Sequence, residues 1–145
     1  VAGVFSDFVA KDLSSLTENI IVENGGDIYI KTGSSRIVAI YAGNSILSGK
    51  IGLKIKIQDM PCGVCTSSGK VGHSLSFGRA DAVTVVAKTA VLADAFATAV
   101  GNMVRSSCDI ENTVGYYSKK TEILGLVIVI DDKMAFCGDI EIVKI

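Results

Sequence analysis

The chain has almost no proline, one histidine and no surplus of positive charge. Pro61 is the only proline and His73 the only histidine in 145 residues. The formal net charge is -1, and the lysines and arginines are scattered. Without a basic patch the chain lacks the electrostatic footprint of a nucleic-acid binder. It also lacks a membrane-spanning stretch: the longest apolar run, Ile123–Ile130, falls far short of the roughly 20 residues a transmembrane helix needs. The opening VAGVFSDFVAKDL has neither the charged start nor the cleavage site of a signal peptide. It reads as the middle of a helix, so the chain reads as a portion of a longer protein that lacks an N-terminal segment. Four cysteines at irregular spacing do not make a secreted disulfide framework. Reduced thiols and a cytoplasmic location are expected. There is no internal repeat and no linker-like segment.

What is present is a large apolar fraction, 49% of the residues, enough for one domain with a sizeable core. Val4, Phe5, Phe8, Val9 and Leu13 recur at helical spacing, which predicts an amphipathic first helix. IIVE (20–23) and DIYIKT (27–32) are strand-like and split by Asn24-Gly25-Gly26. SRIVAIYAG (35–43), KIGLKIKIQD (50–59) and ADAVTVVAK (80–88) also read as strands. TAVLADAFATAVGNMV (89–104) is the strongest helix, with Thr89 as N-cap. A shorter helix is expected over 109–117. ILGLVIVI and GDIEIVKI close the chain as two strands, with DDKM turning between them. Neighbouring strands joined by short turns predict an α+β domain with a largely antiparallel sheet packed against helices.

PCGVCTSSGKVGHSLSFG (61–78) holds much of the reactive chemistry. It is not a phosphate loop: that motif has four residues between its glycines and then Gly-Lys-Ser/Thr. Here five residues separate Gly63 from Gly69, and Val71 follows Lys70. Cys62 and Cys65 have zinc-ligand spacing, but Cys108 and Cys137, needed to complete a site, stand isolated. A thioredoxin-like pair should open a helix, whereas this C-x-x-C runs into Thr-Ser-Ser-Gly, which favours a loop. A ligand-binding loop is the remaining functional reading, with Thr66, Ser67, Ser68 and His73 as polar groups and Gly69 and Gly72 admitting a close approach. A solvated turn around a hydrogen-bonded histidine fits the same residues.

The 89–104 helix is apolar almost all round, which predicts burial. Yet Asp94, Thr98 and Asn102 fall on one face at i, i+4, i+8. A buried carboxylate must be paired, hydrogen-bonded or metal-bound. Asp94 and Thr98 offer oxygens suited to magnesium; a bond from Arg79, Arg105 or a backbone amide serves equally. Asn24-Gly25-Gly26-Asp27 reads first as a hairpin turn, and second as a glycine opening with Asp27 facing a ligand.

In order, ENGGDIYI, CTSSG and ADAVTVVAKTAVLADAFATAVGN resemble the ApbE superfamily, over almost the whole chain. The closest resemblance is to an uncharacterised ApbE-related branch in prokaryotes with a similar TSSG…GHS…SFG.ADAVTV block. The best-known members are magnesium-dependent FAD:protein FMN transferases. The resemblance implies an ApbE-like, T-fold-like domain binding a flavin (FAD or FMN) or another nucleotide diphosphate with Mg, and a flavin or nucleotidyl transferase activity. It assigns Asp94 and Thr98 to the metal. Asn24, Gly25, Gly26 and Asp27, with Thr66, Ser67 and Gly69, border the nucleotide. His73 and Asp27 are candidate catalytic residues. It also implies a missing N-terminal portion, the first helix standing just before the Gly-Gly-Asp strand. The transferases carry a His-x-Ile-x-Asp-Pro block where this chain has Gly72-His73-Ser74-Leu75-Ser76. That departure supports an alternative: a non-transferase binder of a small molecule, with a role in sulfur metabolism conceivable. The apolar surplus and the late strands would suit a homodimer.

Overall fold

The computed structural model describes residues 1–70 and 78–145. Helix α1 (Ala2–Leu13) leads into an antiparallel hairpin, β1 (Ile20–Asn24) and β2 (Asp27–Lys31). Strands β3 (Arg36–Ala39) and β4 (Ile51–Ile55) follow, then a short 3-10 turn at Ile57–Asp59. β5 (Cys62–Ser67), β6 (Ala82–Ala87) and α2 (Ala90–Met103) form the middle of the chain. α3 (Ile110–Tyr117), β7 (Ile123–Ile130), β8 (Lys133–Gly138) and β9 (Glu141–Lys144) complete it.

Six strands form one sheet in the order β1-β2-β5-β6-β7-β8, each pair antiparallel. β3, β4 and β9 form a second, smaller sheet. The large sheet is covered on both faces. Val83, Val85, Leu126 and Ile128 pack in one cluster with Ala93, Ala97 and Val100 of α2. Val64, Val86, Val127 and Val129 pack in another with Leu53 and Ile55 of the small sheet. Every residue of β6 is buried, which is why AVTVVA reads as an apolar run and not as an alternation. The α+β class and the largely antiparallel sheet are as the sequence predicts.

Four local expectations need correction. The C-x-x-C stretch is strand β5, not a loop. DDKM is not a simple turn between the last two strands. Only Asp131-Asp132 turn, Lys133 begins β8, and β9 crosses to the small sheet. α1 does not bury its apolar stripe: it buries Gly3, Ser6 and Ala10, while Phe5 and Phe8 are exposed. Small residues win there because α1 lies very close to its neighbours. A methyl group on Gly3 would sit 2.4 Å from the Ala90 carbonyl oxygen and 2.7 Å from Asp94 Cβ. Finally, α2 is not buried all round. Ala90, Ala93, Ala97, Val100 and Gly101 face inward, and Val91 and Leu92 are exposed.

Candidate functional site

The hairpin between β1 and β2 is closed by Gly25 at φ 63° and Gly26 at φ 96°. These left-handed values favour glycine, and two in succession suit a tight two-residue turn. Asn24 pairs with Asp27 across it. The Gly26 carbonyl accepts from the Thr66 amide at 3.2 Å, tying the turn to β5. Asn24 and Gly25 are exposed, and Asp27, the first residue of β2, is buried at 9% exposure.

Asp27 pairs with Cys65 of β5. Directly paired residues share a sheet face, and Cys65 belongs to the cluster under the helices. Asp27 therefore faces α1 and α2. Ser6 of α1, fully buried, donates to the Asp27 backbone carbonyl at 2.8 Å. The Cys65 thiol lies within reach of the Ala90 carbonyl, at 3.3 Å, and of the Asp27 carboxyl.

Asp94 reaches the same junction from the second turn of α2. Its Oδ2 accepts from the Gly3 amide at 3.1 Å and from the Val1 backbone nitrogen at 3.0 Å. The backbone-amide alternative for Asp94 is therefore realised. Two of the roughly four acceptor positions of the carboxylate are used there. Thr98, one turn further on, is exposed, and Asn102 is half-buried.

What holds α2 in place is a residue that its own sequence gives no hint of. Asp7 of α1 accepts from the Ala90 amide at 3.0 Å and from the Val91 amide at 2.9 Å. Thr89, the N-cap as expected, accepts from Leu92 at 3.2 Å. The first three amides of α2 are thus satisfied, so this helix end does not offer itself to a phosphate. Asp7 and its partners lie more than eighty positions apart, and no local spacing rule could have found them.

The Thr-Ser-Ser-Gly stretch is divided by the strand. Thr66 bonds to Thr84 Oγ1 at 2.9 Å, on the face opposite Cys65, because neighbouring strand residues alternate. Ser67 lies on the helix face, where a methyl group on Gly101 would be 3.5 Å from its Oγ. Gly69 donates to the Ala80 carbonyl at 2.9 Å. His73 lies outside the described residues. Lys70, not singled out as a site residue, bridges Asp81 Oδ1 (3.0 Å) and Asp131 Oδ1 (3.3 Å). It lines an open cavity of about 350 Å³ with Asn44, Ser45, Ile46 and Asp132.

The same alternation settles the C-x-x-C pair. Cys62 packs in the cluster between the two sheets, Cys65 in the cluster under the helices. Three positions apart on one strand, they point to opposite layers and cannot share a metal. Burial, then the Asp59 charge, pushes the Cys62 thiol up to about 12. Burial, then the Asp27 charge, pushes Cys65 up as well. Both are protonated at neutral pH and are poor nucleophiles.

Residues 1–130 match the family model described as AbpE bacteria. The chain belongs to the ApbE-like family. A UPF0280 protein of Methanocaldococcus jannaschii is 43% identical to this ApbE-like chain over 150 aligned positions, covering 99% of the chain and 61% of that protein. A UPF0280 protein of Methanococcus maripaludis is 52% identical over 105 positions, covering 70% and 42% respectively. The structure titled Flavin Transferase ApbE from Vibrio cholerae superposes with a TM-score of 0.62 at 23% identity. That match covers 93% of this chain and 47% of the other, and it shows the fold. The chain spans roughly half the length of the relatives it matches. No helix among the described residues is long and apolar enough to cross a membrane.

At this junction of the ApbE-like chain Asp27 is the electrostatically unusual group. Its carboxyl is pushed up to about 6 by burial and by the Asp94 charge, partly offset by the Cys65 thiol. The folded protein then holds the Asp27 proton more tightly than the unfolded chain does. The resulting stability is fully present below the ordinary carboxyl value near 3.8 and is lost as pH rises through about 6. A displacement of this size corresponds to at most about 3 kcal/mol. Asp27→Asn should therefore match wild type in urea at pH 4 and exceed it at pH 8. Parallel stability profiles for the two proteins would show that Asp27 is not strained by its surroundings.

Proposed function

We propose that this chain carries the metal-binding part of an ApbE-type flavin nucleotide site. Asp27 and Asp94 supply two carboxylates and Thr98 a hydroxyl, hard oxygen ligands of the kind magnesium takes. Among the described residues no group of three His, Cys, Asp or Glu side chains converges. Magnesium is typically held by one or two carboxylates while substrate phosphates complete its shell. When bound, the metal would neutralise a diphosphate and assist phosphoryl or nucleotidyl transfer.

The single observation behind this reading is that the junction of α1, α2 and β2 holds both Asp27 and Asp94, close enough for the Asp94 charge to raise the Asp27 pKa. Two acids from elements far apart in sequence act on each other at one junction, beside a two-glycine turn. A cation placed between them would relieve the like-charge repulsion that helps to raise the Asp27 pKa. The exposed Gly25 and the half-buried Gly26 leave backbone beside Asp27 for a nucleotide to approach, and Ser67 lies on the same sheet face. Thr66 is left out of the proposed site because it faces the other layer.

Calorimetry on the full-length protein with FAD, FMN and ADP, each with and without magnesium, tests the proposal. Magnesium-dependent FAD binding is expected. No binding to any of the three would mean the fold was kept and its ligand changed. The second reading, a small-molecule binder that transfers nothing, draws on the Gly72-His73-Ser74 block in place of His-x-Ile-x-Asp-Pro. An FMN adduct on an acceptor protein, seen by mass spectrometry, would contradict it.

A further inference from the structure

α1 is turned the wrong way for a helix that ends its packing here. Its sheet-facing side carries Gly3, Ser6 and Ala10, and its opposite side carries Phe5 and Phe8, exposed at 58% and 63%. Val4 is exposed beside them. Asp7 of the same helix accepts from the Val91 amide, which brings the start of α2, with exposed Val91 and Leu92, alongside α1. Two neighbouring phenylalanines in water forgo a large gain: burying one such side chain is worth roughly 1.5–3 kcal/mol. A contiguous apolar face of this kind marks a surface that something covers.

We propose that this α1 face is the seat of the rest of the same polypeptide, the part that longer relatives carry beyond the matched region. The argument for that occupant is length. The chain takes in 99% of its own residues in the match to the Methanocaldococcus jannaschii relative but only 61% of that protein. A substantial further segment is therefore present in a protein 43% identical to this one. Phe5 and Phe8 stand one turn apart on α1 and belong to neither apolar cluster, while the helix already has its inner face filled. The covering segment would present apolar side chains to Phe5 and Phe8, closing a third layer outside α1 and α2. This inference stands apart from the flavin reading: it concerns packing, and either can fail alone.

Carbene footprinting of the full-length natural protein, read residue by residue by mass spectrometry, tests it. Tyr41 and Tyr116, exposed at 67% and 56%, serve as internal references. Phe5 and Phe8 are expected to be labelled several-fold less than these tyrosines, at every protein concentration. Labelling equal to the tyrosines would overturn the proposal. Protection that disappears on dilution would assign the face to a second copy and overturn it too, as would a natural protein whose intact mass matches these 145 residues alone. Phe8→Lys adds an independent readout: it should raise labelling of Phe5 in the full-length protein. Should that variant fail to fold, the wild-type footprint still decides.

Discussion

Gly63→Ala is expected to cost about 3 kcal/mol or more, at the upper end of what overpacking usually costs, and Gly63→Val to prevent folding. At this position in β5 a methyl group would lie 2.3 Å from Ala90 Cα, 2.4 Å from Ala90 N and 2.4 Å from the Thr89 oxygen. All three are backbone atoms, so no rotamer change can make room. They belong to the start of α2, which Asp7 and Thr89 fix in place. Relief would require α2 to move off the sheet, and Asp94 would move with it. Against a typical net stability of about 5–15 kcal/mol, such a change is severe. Gly115→Ala in α3 is the control: nothing lies within 4 Å of the added methyl, so it should stabilise by up to about 1 kcal/mol through helix propensity. Urea unfolding of the three proteins settles the matter. A Gly63→Ala midpoint equal to wild type would mean that α2 does not sit this close to β5.

Asp94→Asn should abolish the magnesium dependence of FAD binding while leaving the protein folded. Asparagine keeps an oxygen that can accept from the Gly3 amide, as Asp94 Oδ2 does at 3.1 Å, but it removes the charge that a metal needs. Asp94→Ala removes both. It should additionally cost about 1–2 kcal/mol, the usual effect of losing a side chain that satisfies a helix N-terminus. Comparing the two separates metal binding from support of α1. The charge loss also has a signature at Asp27: with the Asp94 charge gone, one cause of its raised pKa disappears, and it should ionise at lower pH. Calorimetry with and without magnesium, together with thermal melts, reads each effect. If Asp94→Asn binds FAD with unchanged magnesium dependence, the metal site is not there.

Much of this was legible in the sequence where one local rule governs. The helix expected over 89–104 is α2, Ala90–Met103, because Thr89 caps it and Ala and Leu favour it. The Asn-Gly-Gly-Asp turn is a hairpin, as its glycines predict. The failures came where tertiary contact decides. β5 was hidden because burial on both faces erased its alternation and its cysteines suggested chemistry. β8 was hidden because it is an edge strand, only half-buried. α1 presented an apolar stripe that looked like an inner face, but the tight approach of Ala90 and Asp94 admits only small residues. Asp27 and Asp94, which the structure brings to one junction, were both singled out by their local motifs, whereas the placement of Thr66 depended on knowing that it sits in a strand. Asp7 had no sequence signal.

α1 and α2 satisfy each other's opening amides: Asp7 serves the start of α2, and Asp94 serves the start of α1. This exchange has a consequence for the order of events during synthesis. During synthesis α1 leaves the ribosome with the Gly3 amide met only by water, and its carboxylate follows 91 positions later. A nascent chain shorter than that carries Asp27 but no second acid beside it. Asp27 and the acid whose charge acts on it therefore come together late, in the same step that locks α1 against α2.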